Sequence, residues 1–331
     1  MSRSFAWDES TVLVTGATGM VGSWLVRGLL ARGARVVALI HDADPQSELF
    51  RSGDVSRVSV VNGALEQPGT VERAINEHEV DTVFHLGAQT IVGTAVRSPV
   101  ATFEANLRGS YQLLDACRHH RGLVKRVVIA SSDKAYGEHP VLPYTEDMAL
   151  LARHPYDVSK SCTELIAQCY FHTYDVPVAI ARCGNIYGGG DLNWSRVVPG
   201  TIRSVLRGEA PVIRSDGTFV RDYLHVTDTV SAYLALAEQV ARPEVAGCAF
   251  NFSTESPLNV LDVVAQIQAI AGTALAPEVR DEARSEIHSQ HLSATRAREV
   301  LGWKAELDLA SGLAATLPWY RAFFGHDADR T

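Results

Sequence analysis

The sequence lacks paired cysteines, long apolar runs and an excess of positive charge. Its five cysteines are scattered and form no C-x-x-C pair: Cys117, Cys162, Cys169, Cys183 and Cys248. Such a set predicts small core thiols in a reducing, cytoplasmic compartment, with no disulfide framework and no metal site. No apolar run approaches the roughly 20 residues that cross a bilayer. Residues 1–10 carry no apolar stretch typical of a secretory signal, so we expect no membrane partner.

The balance of charge disfavours a further class of partner. Lys and Arg total 30 against 38 Asp and Glu, which gives a net charge of −8 and argues against nucleic acid. The 331 residues are 46% hydrophobic and 21% charged, an ordinary composition for one large or two modest globular domains. No internal repeat or low-complexity linker divides the chain.

A glycine turn near the start of the chain has the context of a dinucleotide site. A buried-strand run at residues 11–15 precedes Gly16, Gly19 and Gly22, and an apolar pattern with helical spacing follows. Gly16 permits a tight turn, Gly19 lets the backbone approach a pyrophosphate, and Gly22 allows the helix to pack closely on the strand. The helix N-terminus then faces the negative charge. The spacing is G-x-x-G-x-x-G, and the order strand, turn, helix predicts a dinucleotide site, with a glycine-rich turn that binds no ligand as the alternative.

The end of the second predicted strand bears on which dinucleotide binds. The apolar run at residues 36–40 ends at His41 and Asp42. An acidic residue at this place hydrogen-bonds the adenosine ribose and repels a 2′-phosphate, so Asp42 favours NAD. NADP stays open because the His41 imidazole can lie against that phosphate. The other interpretation is that His41 is an ordinary loop residue.

Apolar runs alternate with helical patterns through about residue 182. Further strands are predicted at 57–61, 82–86, 126–130 and 178–181, and helices near 71–78, 101–118 and 159–174. This alternation predicts an α/β fold with a Rossmann-type doubly wound parallel sheet. Later patterns predict short strands around 212 and 249–252, and helices near 199–207, 228–240 and 259–271.

These patterns also suggest a division of the chain. We expect a dinucleotide-binding Rossmann domain in residues 1–182, to whose sheet later segments return. Residues 183–325 are expected to form a smaller α/β C-terminal lobe that binds substrate. Residues 326–331 are expected to be a flexible tail.

Tyr156 and Lys160 form a Tyr-x-x-x-Lys pair at the start of a helical pattern. Residues four apart share a helix face, so the lysine ammonium is expected to favour the phenolate. The pKa of Tyr156 would then fall from the usual value of about 10. A phenol tuned in this way can remove the proton of a secondary alcohol. The same pair occurs by chance on solvated helices, and the upstream glycine turn is what gives it a function here.

Ser132, Asp133 and Lys134 follow the strand at 126–130. In open α/β sheets, ligands bind at the carboxyl ends of the strands. The Ser132 hydroxyl can bond a reacting sugar oxygen and pass its proton towards Tyr156. Asp133 and Lys134 add an acid/base pair that simple alcohol oxidation does not need, and a solvated turn is the alternative for these two.

Together these motifs resemble the extended short-chain dehydrogenase/reductases over residues 11–321. The resemblance is carried by the glycine turn, by Tyr156 and Lys160, and by segments at 84–89, 182–188, 221–226 and 301–303. Within that family, residues 132–134, 188–191 and 198–199 are similar to CDP-glucose 4,6-dehydratases and, less closely, to GDP-mannose 4,6-dehydratases. The resemblance implies these cofactor contacts: Gly16, Thr18, Gly19, Met20, Val21, Gly22, His41, Asp42, Ala64, Leu65, Leu86, Gly87, Ala88, Gln89, Asn106, Tyr156 and Lys160.

The resemblance implies a nucleotide-diphosphate-hexose 4,6-dehydratase with five catalytic residues. Tyr156 takes the proton of the sugar 4-hydroxyl while hydride passes to the nicotinamide, whose ribose Lys160 holds. The 4-ketone acidifies the C5 proton, which Lys134 helps to remove. Asp133 protonates the departing 6-hydroxyl, and hydride returns to C6, leaving a 4-keto-6-deoxy sugar and regenerated NAD. Ser132 bonds the reacting oxygen.

Two other functions stay open. A nucleotide-sugar 4-epimerase also needs Ser132, Tyr156 and Lys160 but has no use for the acid Asp133. A non-catalytic nucleotide-binding relative is the other alternative, although a pure binder has no use for an activated phenol.

The resemblance also implies a site for the nucleotide sugar. Its expected contacts are Gln89, Ser132, Asn185, Arg196, Val198, Arg203 and Arg221. Arginine gives bidentate contacts to a diphosphate, whereas Arg196 and Arg203 could equally be solvated charges on a helix. Two segments depart from the family pattern. Gly63-Ala64 replaces Gly-Asp beside the adenine, and residues 93–95 replace an Arg-Ser near the sugar.

Two apolar stripes bear on the oligomeric state. They consist of Phe103, Leu107, Tyr111 and Leu114 on one predicted helix and of Leu165, Ile166, Cys169 and Tyr170 on the next. Relatives pair such helices across a dimer interface, so the resemblance implies a homodimer. Packing against the sheet would demand the same stripes.

Overall fold

The structure, a computed structural model, describes residues 5–282 and 287–325. Its centre is a sheet of seven parallel strands, which we number with the other strands in chain order. They are β1 Thr11–Thr15, β2 Arg35–Ile40, β3 Ser59–Asn62, β4 Thr82–His85, β5 Arg126–Ala130, β6 Val178–Cys183 and β11 Ala249–Phe252. The order across the sheet is β11-β6-β5-β4-β1-β2-β3. The prediction of a Rossmann-type doubly wound parallel sheet is confirmed.

Helices cover both faces of this sheet. They are α1 Met20–Ala31, α2 Glu48–Arg51, α3 Thr70–His78, α4 Val92–Arg97, α5 Pro99–Phe103, α6 Gly109–His119, α7 Pro155–Tyr174, α8 Val197–Leu206, α9 Val226–Gln239, α10 Val260–Ala271 and α11 Leu309–Phe324. Along β1, Val12 and Val14 join the core under α1 and α9, whereas Leu13 joins the core under α3 and α6. Successive side chains point to opposite faces of a strand, so strands buried on both sides read as continuous apolar runs. Within the described residues, none of these helices is long and apolar enough to cross a membrane.

A third core lies beside the carboxyl edge of the sheet. It packs α8, α10 and α11 together through Ile202, Val263 and Leu313. Short strands complete this lobe: β7 Asn185–Tyr187, β8 Val212–Ile213, β9 Val220–Arg221, β10 Tyr223–His225, β12 Leu258–Asn259, β13 Glu278–Val279 and β14 Ser289–Gln290. Strand β9 lies between β12 and β14. A smaller α/β lobe is thus present in the C-terminal part of the chain. Helix α9 and strand β11 also come from residues after 182, but α9 packs on the seven-stranded sheet and β11 is one of its strands.

Two regions differ from the sequence-based expectation. The helix expected at 101–118 is interrupted by a π-helical segment, Glu104–Arg108, between α5 and α6. Such widened turns often occur at functional sites. No helix was expected at 309–324, where α11 forms with Pro318 inside it, because proline and glycine weaken a helical pattern. The predicted tail at 326–331 lies outside the described residues.

Candidate functional site

The glycine turn between β1 and α1 forms an open cradle. Gly16 has φ +69°, and an added Cβ there would lie 2.7 Å from the Gly87 nitrogen. A Cβ at Gly22 would overlap the Gly16 carbonyl oxygen. Gly19 is the N-cap of α1 and supplies no side-chain cap, so the first N–H groups of the helix (Met20, Val21 and Gly22) are left for an anion. The cradle therefore fits the pyrophosphate of a dinucleotide.

A buried histidine ties this turn to the loop after β4. The Thr15 Oγ1 accepts hydrogen bonds from the Leu86 and Gly87 nitrogens at 3.1 and 3.0 Å. It also lies 2.9 Å from His85 Nδ1, and His85 Nε2 lies 2.9 Å from Ser110 Oγ. Burial, together with the positive charge of Lys160, lowers the pKa of His85 to about 3. The imidazole is therefore neutral at physiological pH.

Because His85 is neutral in the folded protein, the free energy of unfolding should depend on pH. An unfolded histidine titrates near 6.5, so below that pH the unfolded chain gains a proton that the folded chain does not. The contribution of His85 to the free energy of unfolding therefore falls as the pH falls. This contribution alone should make the protein about 2 kcal/mol less stable at pH 5 than at pH 8. Urea unfolding at both pH values should show a smaller difference for His85→Gln and an unchanged one for the exposed His172→Gln. An equal difference in all three proteins would contradict the expectation.

Asn106 holds the loop after β4 against α7. Its Oδ1 accepts from the Gln89 nitrogen at 2.7 Å. Its Nδ2 donates to the Gln89 carbonyl at 3.1 Å and to Ser159 Oγ at 2.8 Å. The π-helical segment carries this side chain, which is buried. Asn106 therefore acts on the cofactor loop and on the helix of Tyr156 and Lys160 together.

The residues expected near the adenosine lie beyond β2 and β3. His41 and Asp42 follow β2 with side chains 63% and 90% exposed, and their Nε2 and Oδ2 atoms are 3.7 Å apart. Ala64 and Leu65 follow β3 on the same edge of the sheet. The exposed side chains of His41 and Asp42 can reach a ribose that binds across this edge of the sheet. A cofactor role for these residues stays a prediction.

The catalytic candidates meet at the carboxyl end of β5. The Ser132 hydroxyl donates to Asp133 Oδ1 at 2.9 Å and accepts from the Lys134 nitrogen at 3.2 Å. The Ser132 hydroxyl lies close enough to the Tyr156 phenol to lower its pKa. Ser132, Asp133 and Tyr156 are all buried, with no more than 9% of each exposed. The serine hydroxyl is therefore bonded to the Asp133 carboxyl group and lies beside the phenol.

The expected effect of Lys160 on Tyr156 is not what the structure shows. Burial raises the pKa of Tyr156 to about 12, although the bond to Ser132 and the charge of Arg196 oppose this. The Lys160 Nζ donates to the Ala130 carbonyl at 2.7 Å and lies 5.9 Å from the centre of the tyrosine ring. Burial lowers the pKa of Lys160 itself to about 8, against the opposing charge of Glu164. Both residues lie on α7 as the spacing predicts, but burial sets the direction of the shift in the pKa of Tyr156.

Two buried residues near this centre were missed by sequence reasoning. Gln290 on β14 accepts a hydrogen bond from Lys134 Nζ at 2.8 Å. Asp157 is buried beside Tyr156, and burial raises its pKa to about 6 while Lys134 and His154 lower it. The position next to Tyr156 was a signal for Asp157. Gln290 gave none, because a single glutamine far along the chain has no pattern.

The expected substrate residues are spread over the C-terminal lobe. Arg196 Nη1 pairs with Asp191 Oδ2 at 3.0 Å. Arg203 stacks over the Trp194 ring with 5.2 Å between the guanidinium carbon and the ring centre. Arg221 is buried and donates to three backbone carbonyls: Val220, Ile287 and His288. Asn185 lies on β7 at the sheet edge, and Val198 packs into the core of the lobe. Gln89 lies with Ser132 at the catalytic end of the sheet.

The match to a known protein family covers most of this arrangement. The sequence pattern of the NAD dependent epimerase/dehydratase family extends over residues 12–251. The chain belongs to this family. The resemblance to extended short-chain dehydrogenase/reductases is confirmed, and so is NAD as the cofactor of this epimerase/dehydratase.

Relatives of this epimerase/dehydratase include both epimerases and dehydratases. A UDP-glucose 4-epimerase from Mycolicibacterium smegmatis is 30% identical, over 93% of this chain and 98% of its own. A CDP-glucose 4,6-dehydratase from Salmonella typhimurium is 28% identical, over 96% of this chain and 92% of its own. The crystal structure of a dTDP-glucose 4,6-dehydratase from Streptomyces venezuelae, solved with NAD bound, superposes with a TM-score of 0.85. It is 25% identical and covers 95% of this chain and 98% of that chain.

Proposed function

We propose that this protein is a nucleotide-diphosphate-hexose 4,6-dehydratase. The observation that carries the proposal is the buried Asp133, which accepts a hydrogen bond from the Ser132 hydroxyl beside Tyr156 and is followed by Lys134. A carboxylic acid and an amine base beside the tyrosine that takes the hydroxyl proton are what elimination of water adds to oxidation of an alcohol. The 4-epimerase remains the second candidate, because an epimerase shares 30% identity with this chain.

The residues divide the reaction between them. NAD, when bound, supplies the hydride acceptor, and the glycine cradle and Lys160 are the groups that would hold it. Tyr156, aided by Ser132, takes the proton of the sugar 4-hydroxyl. Lys134 assists removal of the C5 proton once C4 is a ketone, and Asp133 gives its proton to the departing 6-hydroxyl. Return of the hydride to C6 and of a proton to C5 then gives a 4-keto-6-deoxy sugar nucleotide with its diphosphate intact.

Arginines support the binding of that diphosphate. Arg196 lies close enough to the catalytic centre for its charge to act on Tyr156. Arg221 is held rigidly by three backbone carbonyls, which occupy three of the five N–H donors of its guanidinium, the group that suits a phosphate. We propose these two as the diphosphate ligands, with Asn185 and Arg203 further out.

Products formed in deuterated water test the function directly. The protein is incubated with CDP-glucose, GDP-mannose, UDP-glucose and dTDP-glucose, and the products are read by mass and NMR spectra. Loss of water with deuterium at C5 is expected for one of these sugars. Unchanged mass with inversion at C4 would contradict the dehydratase and establish the epimerase instead.

We also propose a cytoplasmic homodimer. The five cysteines are free thiols, as expected in a reducing compartment. The two apolar stripes are partly buried and partly exposed. Leu114 is buried, whereas Tyr111 and Leu165 are 40% and 60% exposed. An exposed apolar patch on neighbouring helices fits a subunit interface.

A charge placed in this patch should separate the subunits. Leu165→Glu is expected to elute as a monomer in size exclusion with light scattering at micromolar concentration, because a carboxylate would be buried unpaired. Exposed Leu261→Glu, on α10, is the matched control and should leave the mass unchanged. A wild-type monomer at the same concentration would contradict the proposal.

A further inference from the structure

Gln290 bridges two residues of the segment 132–134 after β5, which we call the catalytic loop because it carries three of the catalytic candidates. Its Oε1 accepts from Lys134 Nζ at 2.8 Å, and its Nε2 donates to the Asp133 carbonyl oxygen at 3.0 Å. The side chain is fully buried. It comes from β14 in the C-terminal lobe, more than 150 residues along the chain from the loop that it contacts.

The chemistry of its partners leaves the Gln290 amide only one orientation. An ammonium can only donate and a backbone carbonyl can only accept. Rotating the amide by half a turn would therefore set donor against donor and acceptor against acceptor. A buried amide with both ends engaged holds its partners in one geometry, because leaving either unpaired is costly.

Strand β14 connects this amide to the expected diphosphate side of the site. Gln290 lies opposite Arg221 in the parallel pairing of β14 with β9. The Arg221 guanidinium donates to the carbonyls of Ile287 at 2.5 Å and His288 at 3.0 Å. The residues that precede Gln290 are thus hydrogen-bonded to Arg221, and Gln290 itself accepts a hydrogen bond from Lys134.

We propose that Gln290 is a positioning residue that aims the Lys134 amino group, which assists removal of the C5 proton in its neutral form, for the elimination of water. This assignment rests on the proposed function. Gln290 contacts the Lys134 side chain and the Asp133 backbone, whereas Tyr156 lies beside Ser132. Loss of Gln290 should therefore slow elimination and leave oxidation at C4 almost unchanged.

Two variants and a control test the assignment. Gln290→Leu removes both hydrogen bonds. Gln290→Glu keeps an acceptor for Lys134, adds a negative charge and loses the donor to Asp133. Gln268→Leu is the matched control, since Gln268 is a buried glutamine on α10 that accepts from the Leu275 nitrogen at 2.6 Å.

The readout follows one turnover of the holoenzyme with the sugar nucleotide that wild type dehydrates. Absorbance of the reduced nicotinamide reports oxidation as it rises and elimination with hydride return as it decays. For Gln290→Leu we expect an unchanged rise and a decay slower by roughly tenfold to a hundredfold, the usual cost of misplacing a reacting group by about 1 Å. In Gln290→Glu the carboxylate stabilises the charged form of Lys134, which raises the pKa of the lysine. Because elimination needs the neutral amine, the decay rate should reach its maximum at a higher pH than in the wild type.

The outcomes separate the assignment from the function on which it rests. Rise and decay that slow equally in both Gln290 variants and in Gln268→Leu would indicate a merely structural role and overturn the assignment. Wild-type kinetics and an unmoved pH profile in both Gln290 variants would also overturn it. Failure of the wild-type protein to release water from any sugar nucleotide would overturn the proposed function itself, and the assignment with it.

Discussion

Turnover should fall by about 10²–10⁴-fold when Tyr156 is replaced with phenylalanine, the usual contribution of a general acid or base. In the proposed mechanism the phenol oxygen takes the proton of the sugar hydroxyl, and the substitution removes that oxygen alone. NAD binding should persist because the glycine cradle and Lys160 are untouched. Steady-state rates with the active sugar nucleotide and titration of the protein with NAD would measure the two effects.

A second tyrosine on the same helix provides the control. Tyr174 lies at the last turn of α7 and is 41% exposed. Tyr174→Phe should keep the wild-type rate and the wild-type affinity for NAD. If Tyr156→Phe retained most of its turnover, another group would have to remove the hydroxyl proton, and the link from Ser132 to Asp133 would be the first alternative.

The parts of the site that sequence could predict depend on short-range patterns. The glycines at 16, 19 and 22 act within a single turn. Tyr156 and Lys160 act within one helical turn, and Ser132 follows directly on a strand. Such motifs can be recognised in the sequence because the backbone conformation that they require involves only neighbouring residues.

The parts that sequence could not predict depend on burial and on contacts distant along the chain. The pKa of Tyr156 is set first by the desolvation of its phenol, which no spacing reveals. Gln290 reaches Lys134 only because β14 pairs with β9. The π-helical segment that presents Asn106 reads in the sequence as ordinary helix.

Behind the catalytic loop lies a buried ion pair that supports it. Glu164 on α7 and Arg182 on β6 join through Oε2 and Nη2 at 2.6 Å, with side chains 0% and 4% exposed. The Ser131 hydroxyl donates to Glu164. Arg182 Nη1 donates to the Tyr136 hydroxyl at 2.7 Å, which donates to Asn251 Oδ1 at 2.7 Å. The pair thus braces both ends of the short helix, Asp133–Tyr136, that carries the catalytic acid.

Breaking this pair should cost more stability than any other single substitution considered for this protein. Glu164→Gln keeps the shape but leaves the Arg182 guanidinium charged and uncompensated in the core, which typically costs about 3–5 kcal/mol. That is a large share of the roughly 5–15 kcal/mol that stabilises a domain. Urea unfolding of the purified variant would measure the change as a lower midpoint at constant slope.

An exposed pair of similar geometry shows whether burial is the reason. Glu104 and Arg108 meet at 3.0 Å, with side chains 50% and 39% exposed. Solvent screens such a pair, so Glu104→Gln should shift the unfolding midpoint far less than Glu164→Gln does. Equal shifts would mean that the buried charge finds compensation elsewhere. The loop of Ser132 and Asp133 would then owe its geometry to the bonds of Gln290 and Tyr136 rather than to the ion pair beneath it.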